Sequence, residues 1–201
     1  IALWLSVFPI WARWVTANPL DVAIVLAPKG TVAKEVTVVI PETYELNLVF
    51  ERANIPFKEL KLLLGDWAYK DGKPIPSGVK VPIRWALRKV VDGQVVASGE
   101  IESFGSIAWS SAEVDRQVGH IKVEPGKYMF NAEILRDVQE LAHIKTRISM
   151  QLRPKASSTW QITFVWWGSM ANVLLLWPAV AAFGLLLLWR AGLTFRSRDT
   201  P

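Results

Sequence analysis

The side chains that could do chemistry are few and scattered. Two histidines, His120 and His143, each stand alone in strand-like surroundings, and cysteine is absent. With no thiolate available, a transition-metal site would need both imidazoles and a carboxylate from elsewhere in the chain. The plainer reading makes both histidines structural, satisfied or exposed. Glu100 and Glu102 alternate onto one strand face, as a carboxylate pair for acid–base work would, but solvated surface charges are the better reading. Asp115-Arg116 and Arg136-Asp137 read as turn or surface pairs. Arg84 and Arg88 share a face with Ala86 and, with Lys89, form a modest basic stripe. An anionic headgroup could meet that stripe, although an ordinary polar sheet face is the better reading. No phosphate-cradling G-x-x-x-x-G-K-S/T, nucleophile-elbow G-x-S-x-G, zinc-binding H-E-x-x-H or dinucleotide G-x-G-x-x-G occurs. The residues point away from an enzyme, and to no cofactor or metal.

Tryptophan is the unusual residue, at eleven. Trp67, Tyr69 and Lys70 fall in the stretch GDWAYKDGKPIPSG, from Gly65 to Gly78, whose Gly and Pro content marks a long loop. Loop aromatics are favoured anchors for a protein partner, because they bury much area at little entropic cost. They serve as readily as lids over a small core. Trp85 alternates with Ile83 and Leu87 and is assigned to the core.

The elements around these residues are mostly strands. Val22–Ala27, Thr37–Ile40 and Tyr44–Glu51 are rich in β-branched and aromatic residues. Pro56–Leu64 is a short helix, with Pro at its start and Gly65 after it. Val81–Val91 and Gln94–Phe104 flank Asp92-Gly93, a hairpin signal. Ile107–Trp109, Val118–Val123, Lys127–Leu135 and Ile144–Leu152 are further strands, and no long-period repeat is evident. The pattern predicts a mainly β domain, an antiparallel β-sandwich of Ig-like type with one short helix, over residues 18–155.

Both flanks are apolar. From Ala156 to Trp189 there is no charged residue or histidine. Ile162–Trp189 would extend about 42 Å as a helix, more than the ~30 Å hydrocarbon core of a bilayer. Residues 156–190 therefore read as a transmembrane helix, with Trp160, Trp166 and Trp167 at one interface and Trp189 and Arg190 at the other. Residues 191–201 form a basic tail that the positive-inside rule assigns to the cytoplasm. Pro178 predicts a kink in mid-span. Gly168 and Asn172 make a small-plus-polar face suited to contact with another helix, unless the amide bonds only within its own helix or to interfacial water. Residues 1–17 read as a first, incomplete transmembrane helix, or alternatively as the end of a signal peptide, since Val15-Thr16-Ala17 resembles a cleavage site. The net charge of +5 owes much to Arg13, Arg190, Arg196 and Arg198 at the membrane edges. The exposed domain is nearly balanced, which excludes the basic surface of a nucleic-acid binder.

Three stretches resemble a bacterial family of unknown function, DUF5625: Tyr44–Glu51, Leu63–Val90 and Val123–Met150. The most specific part is Pro125-Gly126-Lys127-Tyr128 followed by Leu135–Leu141. The resemblance covers about half the chain and implies a β-sandwich outside the cytoplasmic membrane, among small envelope proteins and lipoproteins. Members of this kind often carry a lipidated cysteine, so apolar helices would replace that anchor here. The resemblance also implies an immunity protein that captures a secreted antibacterial effector of the type VI system in the periplasm, and it supplies no catalytic residues. The helices suggest an alternative, an accessory subunit of an inner-membrane complex that packs through Gly168 and Asn172.

Overall fold

The computed structural model describes residues 2–52, 55–66, 68–70, 73–75, 77–152 and 159–196. The chain divides into two compact units, one of Ile1–Thr16 with Ser158–Pro201, the other of Ala17–Ser157.

The first unit is helical. Helix α1 spans Ala2–Val15, α3 spans Trp160–Ala171, and α4 spans Trp177–Arg196. Between α3 and α4, Asn172–Leu176 continue the helix as one wide π-turn, in which the Trp177 amide donates to the Asn172 carbonyl. Pro178 explains the turn. Its ring excludes the carbonyl four residues earlier and it offers no N–H, so the helix widens just ahead of it instead of continuing its regular ladder. Trp160–Arg190 form one helix of 31 residues whose most apolar 18-residue window has a mean hydropathy of 2.1, long and apolar enough to cross a bilayer. Helix α1 runs antiparallel against α3. Trp4 donates its indole N–H to the Asn172 side-chain oxygen at 2.7 Å, Phe8 lies against Gly168, and Trp11 meets Phe164 and Trp160. A side chain at position 168 would come within 2.4 Å of the Phe8 ring, so only glycine lets the two helices approach this closely.

The second unit is mainly β and holds two antiparallel sheets. Its strands are β1 (Leu20–Ala23), β2 (Thr31–Val38), β3 (Glu42–Glu51), β4 (Ala68–Lys70), β5 (Lys73–Ile75), β6 (Val81–Lys89), β7 (Val95–Ser103), β8 (Ala108–Trp109), β9 (Glu113–Val123), β10 (Gly126–Ile134) and β11 (Thr146–Leu152). Helix α2 spans Phe57–Leu64. One sheet has the order β1-β11-β3-β9-β8 and the other β2-β10-β6-β7, with β4 and β5 as a separate pair. Alternate residues of the central strands face inward: Leu46, Leu48 and Phe50 from one sheet, Ile83, Leu87, Phe130 and Ile134 from the other, all fully buried. Trp85 lies between the sheets beside Gly99 and Gly119, where any larger residue would collide with its indole.

Strand pairing gives the sandwich two distinct poles. Leu20 pairs with Met150, Leu152 with Tyr44, Glu42 with Val123, Gly126 with Val38 and Tyr128 with Lys89. Both ends of the unit therefore leave from one pole, together with the β6–β7 hairpin tip and the β9–β10 turn. The opposite pole gathers α2, the 65–78 segment, the β7–β8 connection and the β10–β11 connection. We call these the terminal pole and the loop pole.

The terminal pole shows a repeat that the periodicity analysis missed. Tyr44 donates its hydroxyl to the Ile40 carbonyl at 3.2 Å, and Tyr128 donates to the Glu124 carbonyl at 2.7 Å. Each tyrosine follows a proline by three residues at a corner where the chain crosses between sheets. Pro41, Tyr44, Asn47 and Arg52 recur at one constant offset as Pro125, Tyr128, Asn131 and Arg136. The same offset carries β2 onto β9 and β3 onto β10, and in the two sheets β9 lies beside β3 and β2 beside β10. Strand boundaries also differ from expectation. Strand β2 starts at Thr31, six residues before the predicted run, because Lys34 and Glu35 on this edge strand obscure its alternation.

Candidate binding surface at the loop pole

The loop pole is built on α2. Pro56 precedes the helix, Leu60 and Leu64 are its buried face, and Gly65 ends it with φ of 70°. Gly78 has φ of 75°, and the two glycines stack backbone to backbone. A Cβ at Gly65 would lie 2.4 Å from the Ser77 carbonyl carbon, and one at Gly78 would lie 2.3 Å from that of Leu64. Both the left-handed conformation and the contact demand glycine. Hydrogen bonds close this neck: Val79 N to Leu63 O at 2.7 Å, Ser106 N to Gly65 O at 3.0 Å, and Gly105 N to Ser77 O at 3.2 Å. The Ser77 hydroxyl donates to the Asp66 carbonyl. Lys61 pairs with Asp66 at 2.8 Å, a half-exposed bridge that adds little.

Arg116 braces the neck from below. It projects inward from β9 and is fully buried. Nη2 donates to the Leu64 carbonyl at 2.5 Å, and Nη1 donates to Val79 at 2.7 Å and to Ser103 at 3.4 Å. The guanidinium carbon lies 5.3 Å from the centre of the Phe50 ring. One cation thus ties the end of α2, the exit of the loop and the end of β7, with carbonyl dipoles in place of a carboxylate. Burial pushes its pKa down to about 10, which leaves it charged at neutral pH. The expectation of a surface Asp115-Arg116 pair is therefore corrected. Asp115 faces outward, where burial raises its carboxyl pKa and the Gln151 side chain opposes that rise. Arg116 occupies an inward position between Val114 and Val118, where only a charge satisfied by the chain's own carbonyls can stay.

Within the loop, β4 and β5 pair antiparallel, Tyr69 opposite Pro74 and Lys70 opposite Lys73. The sequence reading left this pairing as plain loop. Trp67 lies outside the described residues. Beside the neck sits an aromatic stack: Phe57 and Trp109 meet edge to face at 5.2 Å, and Arg52 covers the Phe57 ring at 5.5 Å. Arg52 also donates to the Ser110 carbonyl at 3.1 Å. Phe57 and Leu62 remain 43% and 81% exposed, which leaves apolar area open to a partner. Sequence reasoning missed this cluster, because Phe57 and Trp109 lie far apart in the chain with β4 to β7 between them.

The other candidates are separate. His120 lies beside Gln117 and 4.0 Å from Glu45, while His143 is exposed in the β10–β11 connection. Among the described residues no group of three or more His, Cys, Asp or Glu is placed to hold a metal ion. Glu100 pairs with Arg84 at 2.8 Å and Glu102 with Lys80 at 2.7 Å, so the basic stripe is largely neutralised at Arg84. On the outer face of the five-stranded sheet, Arg147 binds Asp21 and Glu113, each at 2.5 Å. Gly168 and Asn172 face Phe8 and Trp4 of the same chain. Trp160, Trp166, Trp167, Trp189 and Arg190 are exposed on the long helix.

A crystal structure of a protein from Sulfurospirillum deleyianum is similar, with a TM-score of 0.58 and 21% identity over 69% of this chain and 99% of that one. That likeness extends to the fold. Among curated proteins none matches the chain. The family profile described as a domain of unknown function, DUF5625, matches residues 18–152, the span of the two sheets with the braced loop, and the chain belongs to that family.

Proposed function

We propose that this is a non-enzymatic, membrane-anchored binding protein of the bacterial envelope, an immunity protein whose periplasmic sandwich captures a secreted antibacterial effector. The observation that carries the reading is the Arg52–Phe57–Trp109 cluster beside the braced neck at the loop pole, in which Phe57 is exposed and Arg52 and Trp109 are half-buried. Arg, Trp and large apolar side chains on a rigid support are the composition of an interface hot spot. Trp67, Tyr69 and Lys70 are the further partner contacts that the sequence nominates. The long apolar helix is the inner-membrane anchor, with its basic end in the cytoplasm and the sandwich in the periplasm. Tethering suits capture, because confinement raises the effective concentration where a wall- or membrane-directed toxin acts.

The sandwich is Ig-like in this proposal. Strands β3 and β9 stand for the Ig strands B and E, and β6 and β10 for C and F. Trp85 on β6 matches the buried tryptophan of strand C, and Tyr128 matches the tyrosine corner at the start of strand F. The outer strands are exchanged, with β11 beside β3 and β2 beside β10.

The subunit alternative drew on the Gly168/Asn172 face, which is engaged by α1. The test is a pull-down from native membranes in mild detergent, using the tagged full chain and a Phe57→Ala/Trp109→Ala variant. Recovery of one soluble secreted protein by the parent, lost from an equally folded variant, is expected. A stoichiometric set of integral membrane proteins, retained by the variant, would overturn the proposal in favour of a subunit.

A further inference from the structure

The terminal pole carries a second exposed surface unlike the first. At the β6–β7 hairpin tip, Val91 is 94% exposed, Val90 46% and Val95 44%. Three valines on a tight turn are costly to leave in water unless something else covers them. The tip is held in shape. Gly93 N donates to Lys89 O, Lys89 N to Gln94 O, and Val90 N to the Lys127 carbonyl of neighbouring β10. Asp92 caps the turn by accepting from Gln94 N at 2.9 Å.

Basic residues collar the valines. Arg88, Lys89 and Lys122 are exposed, and Lys127 is exposed while pairing with Glu35 at 3.6 Å. Lys89 and Lys122 line an open recess of about 420 Å³ between the hairpin and the β9–β10 turn, with Gln94, Glu124 and the Tyr128 ring. The acidic groups at this pole are Asp92, Glu35, Glu42 and Glu124; Asp92 is committed to the turn, Glu35 to Lys127, and Glu42 is buried at the start of β3, where it accepts from Thr43 N.

Both ends of the sandwich leave from this pole, and the end after Leu152 leads within eight residues to the apolar helix. The valine tip therefore shares a pole with both points at which the sandwich joins the apolar flanks. We infer that the β6–β7 tip dips into the surface of an anionic bilayer, with Val90, Val91 and Val95 at the level of the acyl boundary. Lys89 and Lys122 take lipid phosphates, and Arg88 adds to the attraction. Apolar area supplies the insertion and the basic collar the preference for negative lipid. This rests on the membrane reading of the C-terminal helix and is independent of the partner at the loop pole.

The chain has no cysteine, so single-cysteine labelling is clean. The full chain is reconstituted in nanodiscs of phosphatidylcholine, or of equal parts phosphatidylcholine and phosphatidylglycerol. It carries an environment-sensitive fluorophore at Val91→Cys, Leu62→Cys or Leu186→Cys. The Val91 label should emit at shorter wavelength than the Leu62 label and lose intensity to nitroxide-bearing lipid, more so in the anionic discs. Lys89→Glu with Lys122→Glu should abolish that preference. A quenched Leu186 label with Val91 as aqueous as Leu62 would overturn the inference and leave the anchor intact. An unquenched Leu186 label would remove the anchor, and this inference with it. A Val91 label that turns apolar only when a protein is added would assign the tip to that protein instead.

Discussion

The two poles of the sandwich are closed by opposite means. At the terminal pole, each crossing between sheets is locked locally by a tyrosine that reaches four residues back along its own chain. At the loop pole, the lock is non-local: Arg116 gathers carbonyls from Leu64, Val79 and Ser103, which no short segment could bring together. A local lock forms with its corner and costs little ordering elsewhere. A buried cation without a carboxylate repays its desolvation only if every carbonyl is in place, so it enforces one geometry on the segments it ties. That difference suits a pole that must hold a long loop still, against one where the chain turns at tight corners.

Three substitutions separate the two locks. The largest effect is expected from Arg116→Met, which leaves buried carbonyls unpaired and should cost about 2 kcal/mol or more. Hydrogen exchange should accelerate at 63–66, 77–80 and 103–106 while the tyrosine corners keep their protection. Uniform loss of protection across both sheets would show that Arg116 supports the whole core and not one pole. Tyr44→Phe and Tyr128→Phe should each cost about 1 kcal/mol, measured by denaturant unfolding. Tyr44, whose hydroxyl pKa burial pushes up to about 12, should lose more than Tyr128. Equal or negligible losses would mean that the proline turns, not the hydroxyls, hold the corners.

The smallest effect lies on the sheet face between the poles. Burial raises the Asp115 pKa above the ordinary carboxyl range. A carboxyl that binds its proton more tightly in the folded state adds stability at acid pH and loses it as pH rises from the ordinary carboxyl value through the raised one. Asp115→Asn should therefore flatten the unfolding profile in that window and leave both poles unchanged. A profile that still falls there would place the responsible proton elsewhere.

Much of the fold was legible. The Asp92-Gly93 hairpin, the helix ending at Gly65 and the C-terminal apolar run each follow from short patterns whose physics is local. The first half of β9 was not legible, because Arg116 sits where an apolar residue would have completed the alternation. The paired tyrosines went unnoticed because two short motifs far apart produce no period. At the candidate surface, the loop was visible from its Gly, Pro and aromatic content. The Arg52–Phe57–Trp109 stack was not, since its members come from three separate elements.

By itself, the sequence determined the Asp92-Gly93 hairpin, the helix that ends at Gly65, the central runs of most strands, and which stretch is long and apolar enough for a bilayer. Those properties depend on side-chain periodicity and transfer free energy summed over neighbours in the chain. Only the tertiary structure decided that Arg116 is interior, that Gly168 and Asn172 meet Phe8 and Trp4, and that the valine tip shares a pole with both ends of the sandwich. Each of these depends on which distant backbone or ring supplies the missing partner, and strand register decides that, not composition.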